Sequence, residues 1–267
     1  MLASRSLAPR KSLGQCFLID GNLADKLLDR SGARATDVVL EIGPGAGALT
    51  EGLLARGCTV VACEIDAGLA DLLADRFASE IDAGQLTLLR GDCLDRSGAL
   101  AQPAIQALGE APFRLVANLP YAAGTPLLLT LLLNHPKCSG MYVTVQQEVA
   151  QRLRSAPGNK TYGIISVIAQ ALAQLERVAT LSPQCFWPSP KVKSEMLAIE
   201  RLDKPLTDDP QALAATARLL FGHRRKQIGT IIGSAAALPA DVNARNRPEQ
   251  LSVAQFVAMS LPGGTGL

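Results

Sequence analysis

Residues 37–57, DVVLEIGPGAGALTEGLLARG, carry the pattern on which the fold turns. DVVLEIG (37–43) is almost continuously apolar, the pattern of a strand buried on both faces of a parallel sheet. Gly43, Gly45 and Gly47 then break the run, and glycine lets a backbone turn tightly and approach a ligand closely. ALTEGLLARG (48–57) follows with helical spacing and stops at Gly57.

The same unit recurs along the chain. TVVACEID (59–66) reads as a second strand and AGLADLLADRF (67–77) as a second helix. QLTLLRGD (85–92), RLVANLP (114–120) and GMYVTVQ (140–146) read as further strands, and residues 21–31 as a helix ahead of the first. PLLLTLLLNHP (126–136) is too short to span a bilayer and reads as a core-facing helix. This alternation predicts an α/β fold with a doubly wound, mostly parallel, Rossmann-like sheet. Beyond residue 146, EVAQRLRS and GIISVIAQALAQ are helical patterns, while ERVATLS and EMLAIERL are extended. KPLTDDP (204–210) is polar and proline-flanked, as a linker is. The segments after it read as a small all-helical domain. Domains are therefore expected at residues 1–203 and 204–267.

The 267 residues are 48% hydrophobic and 19% charged, with a net charge of +2. A packed core is easily supplied, and any nucleic-acid surface must come from basic residues gathered on one face. Six cysteines form no C-x-x-C pair and only two histidines are present, His135 and His223. A metal site is not expected. Cysteines inside apolar runs suit a reducing, cytoplasmic setting. The N-terminus lacks the h-region of a secretory signal.

In open α/β sheets, ligands bind beyond the carboxyl ends of the strands. The loop EIGPGAG places Glu41 before the glycines, and its glycine spacing differs from the dinucleotide fingerprint G-x-G-x-x-G. Glu64 ends the second strand, where a carboxylate accepts ribose hydroxyls. Asp92 ends the third, where it accepts an adenine amine. Cys93, beside Asp92, reads as a buried spacer. No phosphate-binding lysine follows the loop, which argues against a nucleoside triphosphate. Glycine loop, ribose carboxylate and adenine acceptor together point to S-adenosyl-L-methionine.

The fourth strand ends in Asn118-Leu119-Pro120-Tyr121. An adenine or amide nitrogen is a poor nucleophile because its lone pair is delocalised. Acceptors holding its N–H bonds favour the tetrahedral geometry of attack. The side-chain oxygen of Asn118 and the carbonyl of Leu119 supply them, Pro120 stiffens the turn, and Tyr121 offers a stacking face. Enzymes that methylate adenine N6, cytosine N4 and glutamine share this signature.

Four further stretches narrow the substrate. RKSLGQCFLID (10–20), CFWPSPKVKSEM (185–196), FGHRRKQI (221–228) and NRPEQLSVAQF (246–256), with EIGPGAGALTE, closely resemble the KsgA family of small-subunit (16S) rRNA adenine N6,N6-dimethyltransferases. The resemblance covers roughly residues 10–258. It implies methylation of two adjacent adenines in a hairpin near the 3' end of small-subunit rRNA, on a ribosomal precursor, by a cytoplasmic monomer without metal or membrane. By position, it implies cofactor contacts from Cys16, Leu18, Gly43, Gly45, Glu64, Ile65, Asp92, Cys93 and Asn118, with Gln15 ordering the N-terminal segment. It implies that the target adenine is held by Asn118 and Leu119 between Tyr121 and Phe186. It implies RNA contact by Lys191, Arg224, Arg225 and Lys226.

Taken alone, Phe186 reads as core or turn packing, Trp187 as packing, and Arg224-Arg225-Lys226 as a solvated helix face. Arg5, Arg10, Lys11, Arg152, Arg154, Lys160 and Lys193 are further candidates for a basic patch. Cys16 replaces the family's usual Asn or His, and Ala122 follows the tyrosine where a polar residue is usual. Alternatives are a large-subunit rRNA adenine methyltransferase of the macrolide-resistance type, and a ribosome-assembly factor without catalysis.

Overall fold

The computed structural model describes residues 8–10, 13–121, 123–233 and 238–260. Arg5, Lys11 and Ala122 lie outside the described residues. The chain runs β1 (Phe17–Leu18), α1 (Gly21–Ser31), β2 (Val38–Ile42), α2 (Ala48–Ala55), β3 (Thr59–Glu64), α3 (Ala67–Arg76), α4 (Ala78–Asp82) and β4 (Leu86–Arg90). It continues through α5 (Gln102–Leu108), β5 (Phe113–Asn118), α6 (Gly124–Asn134), β6 (Cys138–Gln146), α7 (Gln147–Leu153) and α8 (Ile164–Leu172). Then come β7 (Ala173–Leu181), β8 (Phe186–Trp187), β9 (Ser194–Arg201), α9 (Pro210–Gly222), α10 (Ile228–Ile232) and α11 (Val253–Ser260).

Seven strands form one sheet in the order β4-β3-β2-β5-β6-β9-β7. The pairs from β4 through to β6 are parallel, and β9 runs antiparallel to β6. The sheet is thus α/β and doubly wound, as the alternation predicts. Strand order reverses between β2 and β5, and the ends of those strands carry the glycine loop and Asn118.

Local chemistry sets the helix starts. Asp20 caps α1 by accepting from the Leu23 N–H at 3.2 Å. Asp66 caps α3 through the Gly68 N–H at 3.0 Å. Each such cap satisfies a donor that the first helical turn leaves orphaned. The helices α1 and α2 bury Leu27, Leu28 and Leu53 against Val39, Val60 and Val116 of the sheet. Each such side chain contributes about 1.5–3 kcal/mol on burial. The short helix α5, with Pro103 in its first turn, is not among the elements read from the sequence. Seven residues with two buried positions give too weak a periodic signal.

By its internal contacts the chain forms two compact units, residues 1–147 with 176–200, and residues 148–175 with 201–267. The helical unit therefore includes residues 148–175 as well as the segment after the expected boundary at 203/204. The reason is packing: α8 lies against α9 and α11, and Tyr162 meets Phe221 edge-on with ring centroids 5.9 Å apart. Phe221 in turn stacks on Phe256 at 5.3 Å. No helix among the described residues is long and apolar enough to cross a membrane.

Candidate active site

The carboxyl ends of β2, β3, β4 and β5 surround a cavity of about 270 Å³. Gly43 and Gly45, Glu64 and Ile65, Asp92 and Cys93, and Asn118, Leu119 and Tyr121 all line it, and Gln15 and Cys16 enter from the N-terminal segment. The segments pack tightly at the glycines. A Cβ on Gly43 would sit 3.0 Å from Pro120, and one on Gly45 would sit 2.8 Å from the Phe17 ring. Both glycines also have positive φ, 67° and 60°, so a side chain is disfavoured on two counts.

Glu64 is 3% exposed. Its two oxygens accept from the Gly45 N–H at 3.2 Å and the Asp66 N–H at 2.9 Å. Burial raises its pKa, and these backbone donors oppose the rise. Each carboxylate oxygen has a second lone pair, so both retain acceptor capacity for hydroxyl groups. Asp92 is exposed at the rim, with one oxygen accepting from the Leu94 N–H at 3.0 Å.

Glu41 lies beneath the glycine loop and accepts from the Thr50 hydroxyl at 2.7 Å. Burial pushes its pKa up to about 8, with the nearby Glu64 adding to the rise. Two carboxyls in one dry region cannot both ionise cheaply. Burial and the neighbouring carboxyl therefore both favour the protonated form of Glu41. Cys63 and Cys93, both on the cavity wall, have thiols pushed up to about 12 by burial. They act there as small apolar groups.

Asn118 donates from its side-chain nitrogen to the Cys16 carbonyl at 2.8 Å. That bond fixes which end of the amide is the donor and leaves Oδ1 as the acceptor. The next residue is anchored too, since the Leu119 N–H donates to the Thr144 carbonyl at 3.1 Å. The Tyr121 hydroxyl lies 3.2 Å from the Ser194 hydroxyl. Burial raises the pKa of Tyr121 and that of Cys16.

The N-terminal segment is tied down over the cavity. Gln15 donates to Asp66 at 3.2 Å and accepts from the Arg10 N–H at 2.7 Å. The Arg10 guanidinium meets the same Asp66 at 3.2 Å. Asp66 thus joins the segment before β1 to the start of α3, a role the sequence reading did not give it.

Two expected contacts fall elsewhere. Leu18 does not line the cavity; Phe17 does. Phe186 is 3% exposed within the core of the first unit and does not line it either. One register explains both. Strand β1 pairs antiparallel with β8, Leu18 opposite Phe186 and Phe17 opposite Trp187. Side chains alternate across a strand, so Leu18 and Phe186 turn to the core together and Phe17 and Trp187 turn the other way. Trp187, read from sequence as packing, is 45% exposed. Alternation within Phe17-Leu18 and Phe186-Trp187 was the available signal, but sequence did not show which member faced in.

Of the residues expected to meet RNA, Lys191, Arg225 and Lys226 are exposed. Arg224 is committed within its own unit. It donates to the Asn159 carbonyl at 3.3 Å, approaches Glu249 at 3.8 Å and lies over the Phe221 ring. Among the other basic residues, Lys160 and Lys193 are exposed and Arg152 pairs with Glu148. Among the described residues, no cluster of three or more His, Cys, Asp or Glu side chains could hold a metal ion.

A family model described as ribosomal RNA adenine dimethylase matches residues 7–261. A protein of Leifsonia xyli called ribosomal RNA small subunit methyltransferase A is 40% identical over 95% of this chain and 92% of its own length. One of the same description from Mycobacterium avium is 39% identical over 94% of this chain and 81% of its own. Among solved structures, a dimethyladenosine transferase from Plasmodium falciparum superposes with a TM-score of 0.73 at 20% identity, covering 90% of this chain and 94% of that one. The 23S rRNA methyltransferase ErmE does so with a TM-score of 0.64 at 22% identity, covering 90% and 98%. At those identities the two structures share the fold.

Proposed function

The chain belongs to the ribosomal RNA adenine dimethylase family, and we propose that it transfers methyl groups from S-adenosyl-L-methionine to N6 of two adjacent adenines in a hairpin near the 3' end of small-subunit rRNA. The proposed substrate is a precursor of the small subunit, met in the cytoplasm by a monomer.

The residues present fit the cofactor. A buried carboxylate with spare acceptor capacity, Glu64, suits ribose hydroxyls, and Asp92 at the rim suits an exocyclic amine. The glycine loop brings its backbone at Gly43 and Gly45 to the cavity wall, packed against Pro120 and Phe17 more closely than a side chain would allow. When bound there, S-adenosyl-L-methionine supplies an electrophilic methyl group.

The protein's own part is to prepare the adenine nitrogen. Asn118 Oδ1 and the Leu119 carbonyl accept the two N6–H bonds, drawing the amine out of conjugation as it attacks. Tyr121 gives the planar base a face. The proton leaves once the nitrogen carries positive charge, so a strong general base is unnecessary. The supporting observation is the bond from Asn118 to the Cys16 carbonyl, because it commits the amide nitrogen and leaves an acceptor.

The test uses small subunits lacking this methylation, incubated with the protein and labelled cofactor beside large subunits and duplex DNA. N6,N6-dimethyladenosine in small-subunit RNA alone, abolished by Asn118→Ala, is the expected result. Label confined to large-subunit RNA would sink the reading.

A further inference from the structure

The ribbon formed by β1 and β8 leaves apolar surface in solvent beside the cavity. Trp187 is 45% exposed, Val192 46% and Ile19 61%. Ile19 borders the same ribbon, its N–H donating to the Cys185 carbonyl at 2.9 Å. The Trp187 ring stacks on Phe17 with centroids 6.2 Å apart and planes 27° from parallel. Phe17 is itself a cavity wall. The loop then runs to Ser194, whose hydroxyl lies 3.2 Å from that of Tyr121. Residues 188–193 are thus anchored at both ends to groups that line the site. Within the loop, Lys191 and Lys193 flank Val192, and both are exposed.

A single exposed apolar residue is ordinary. An exposed indole backed by a wall of the catalytic cavity, with two lysines on the adjoining loop, is a different arrangement. An unpaired nucleobase needs a flat apolar face, and its backbone needs cations close by. An apolar protein surface would have to cover both lysines without supplying them an anion, which is costly.

We propose that Trp187 is a stacking platform for an unpaired base next to the target adenine, with Lys191 and Lys193 holding the phosphates of that strand. The proposal rests on the rRNA-substrate reading above. It gives the ribbon a specificity role: an adenine presented without a stackable neighbour is positioned poorly.

Trp187 is the one tryptophan of the chain, so its fluorescence reports its own stacking. The intact protein is titrated with the end-labelled target hairpin, at concentrations where the label shows it bound. Quenching is expected, and is abolished when the nucleotides flanking the target are abasic. In parallel, methylation of unmodified small subunits is measured. Trp187→Ala should raise KM for subunits about tenfold while kcat and cofactor affinity stay within about twofold, and Trp187→Phe should recover most of the loss. Bound hairpin without quenching, or an unchanged KM, overturns the proposal. So does an equal loss of cofactor affinity, which would make Trp187 merely a support for Phe17. A raised KM on subunits with no quenching by RNA would assign the patch to a ribosomal protein instead. Failure of the wild-type protein to methylate small-subunit RNA would overturn the underlying reading, and the proposal with it.

Discussion

Asn118 is oriented by a main-chain group of Cys16, 102 residues earlier, through a 2.8 Å bond from its side-chain nitrogen to the Cys16 carbonyl. Cys16 therefore serves this bond through its backbone and not through its thiol.

It follows that the side chain at position 16 is replaceable and the one at 118 is not. Asn118→Ala should lower kcat by about 10²–10³, the range for removing one preorganised group at the reacting atom. Cys16→Ala should retain kcat within about threefold, since the backbone carbonyl that orients Asn118 is kept and a thiol is only a weak hydrogen-bonding group. Steady-state kinetics on unmodified small subunits checks both. Equal losses in the two variants would contradict the geometry.

Glu41 gives a pH signature. Its folded pKa is raised to about 8 from 4.5, so the folded state binds a proton that the unfolded state releases between those values. Stability from this group is complete below 4.5, declines as pH rises, and is gone above 8. Glu41→Gln keeps an acceptor for Thr50 and removes the titration. The gap in melting temperature between the variant and the wild type should widen from pH 5 to pH 8 in the variant's favour. A constant gap would mean that Glu41 is already ionised.

Glu64→Gln should weaken binding of S-adenosyl-L-methionine at least about tenfold. An amide can present only one acceptor oxygen, so one of the Gly45 and Asp66 N–H donors would face an NH2 group. Calorimetric titration measures the loss directly. Unaltered affinity would remove Glu64 from the cofactor site.

Asp66→Ala should combine two effects. Removing the cap on α3 costs about 0.5–2 kcal/mol. The Gln15 and Arg10 tethers go as well, so the cofactor should dissociate faster. Gln15→Ala, which spares the cap, should speed dissociation without the loss of stability. Stopped-flow release and thermal melting separate the two.

Arg225 and Lys226 differ from their neighbour. Substituting either exposed residue with Ala should reduce the log–log salt slope of subunit binding by about one for each phosphate that its side chain neutralises. Arg224→Ala should instead lower the melting temperature, since Arg224 holds Asn159 and covers Phe221 within the helical unit.

The parallel sheet, the glycine loop and the two strand-end carboxylates were legible in the amino-acid order alone. These are local patterns: apolar runs of strand length, glycines at a turn, acids where a strand stops. Asn118 and Tyr121 were legible too, because Asn118 ends, and Tyr121 follows, a strand whose end must reach the ligand edge of the sheet. What lies across from them came only with the folded chain. The Cys16–Asn118 bond and the tether from Gln15 to Asp66 join segments that no local pattern relates. The exchange of Phe17 for Leu18 at the cavity, and the exposure of Trp187 with the burial of Phe186, depend on one pairing of two-residue strands. In such a strand a shift of one residue reverses every side chain, and two residues carry too little periodicity to fix the face. The helical unit gathers residues 148–175 for the same kind of reason. Aromatic packing among Tyr162, Phe221 and Phe256 joins what the chain keeps far apart.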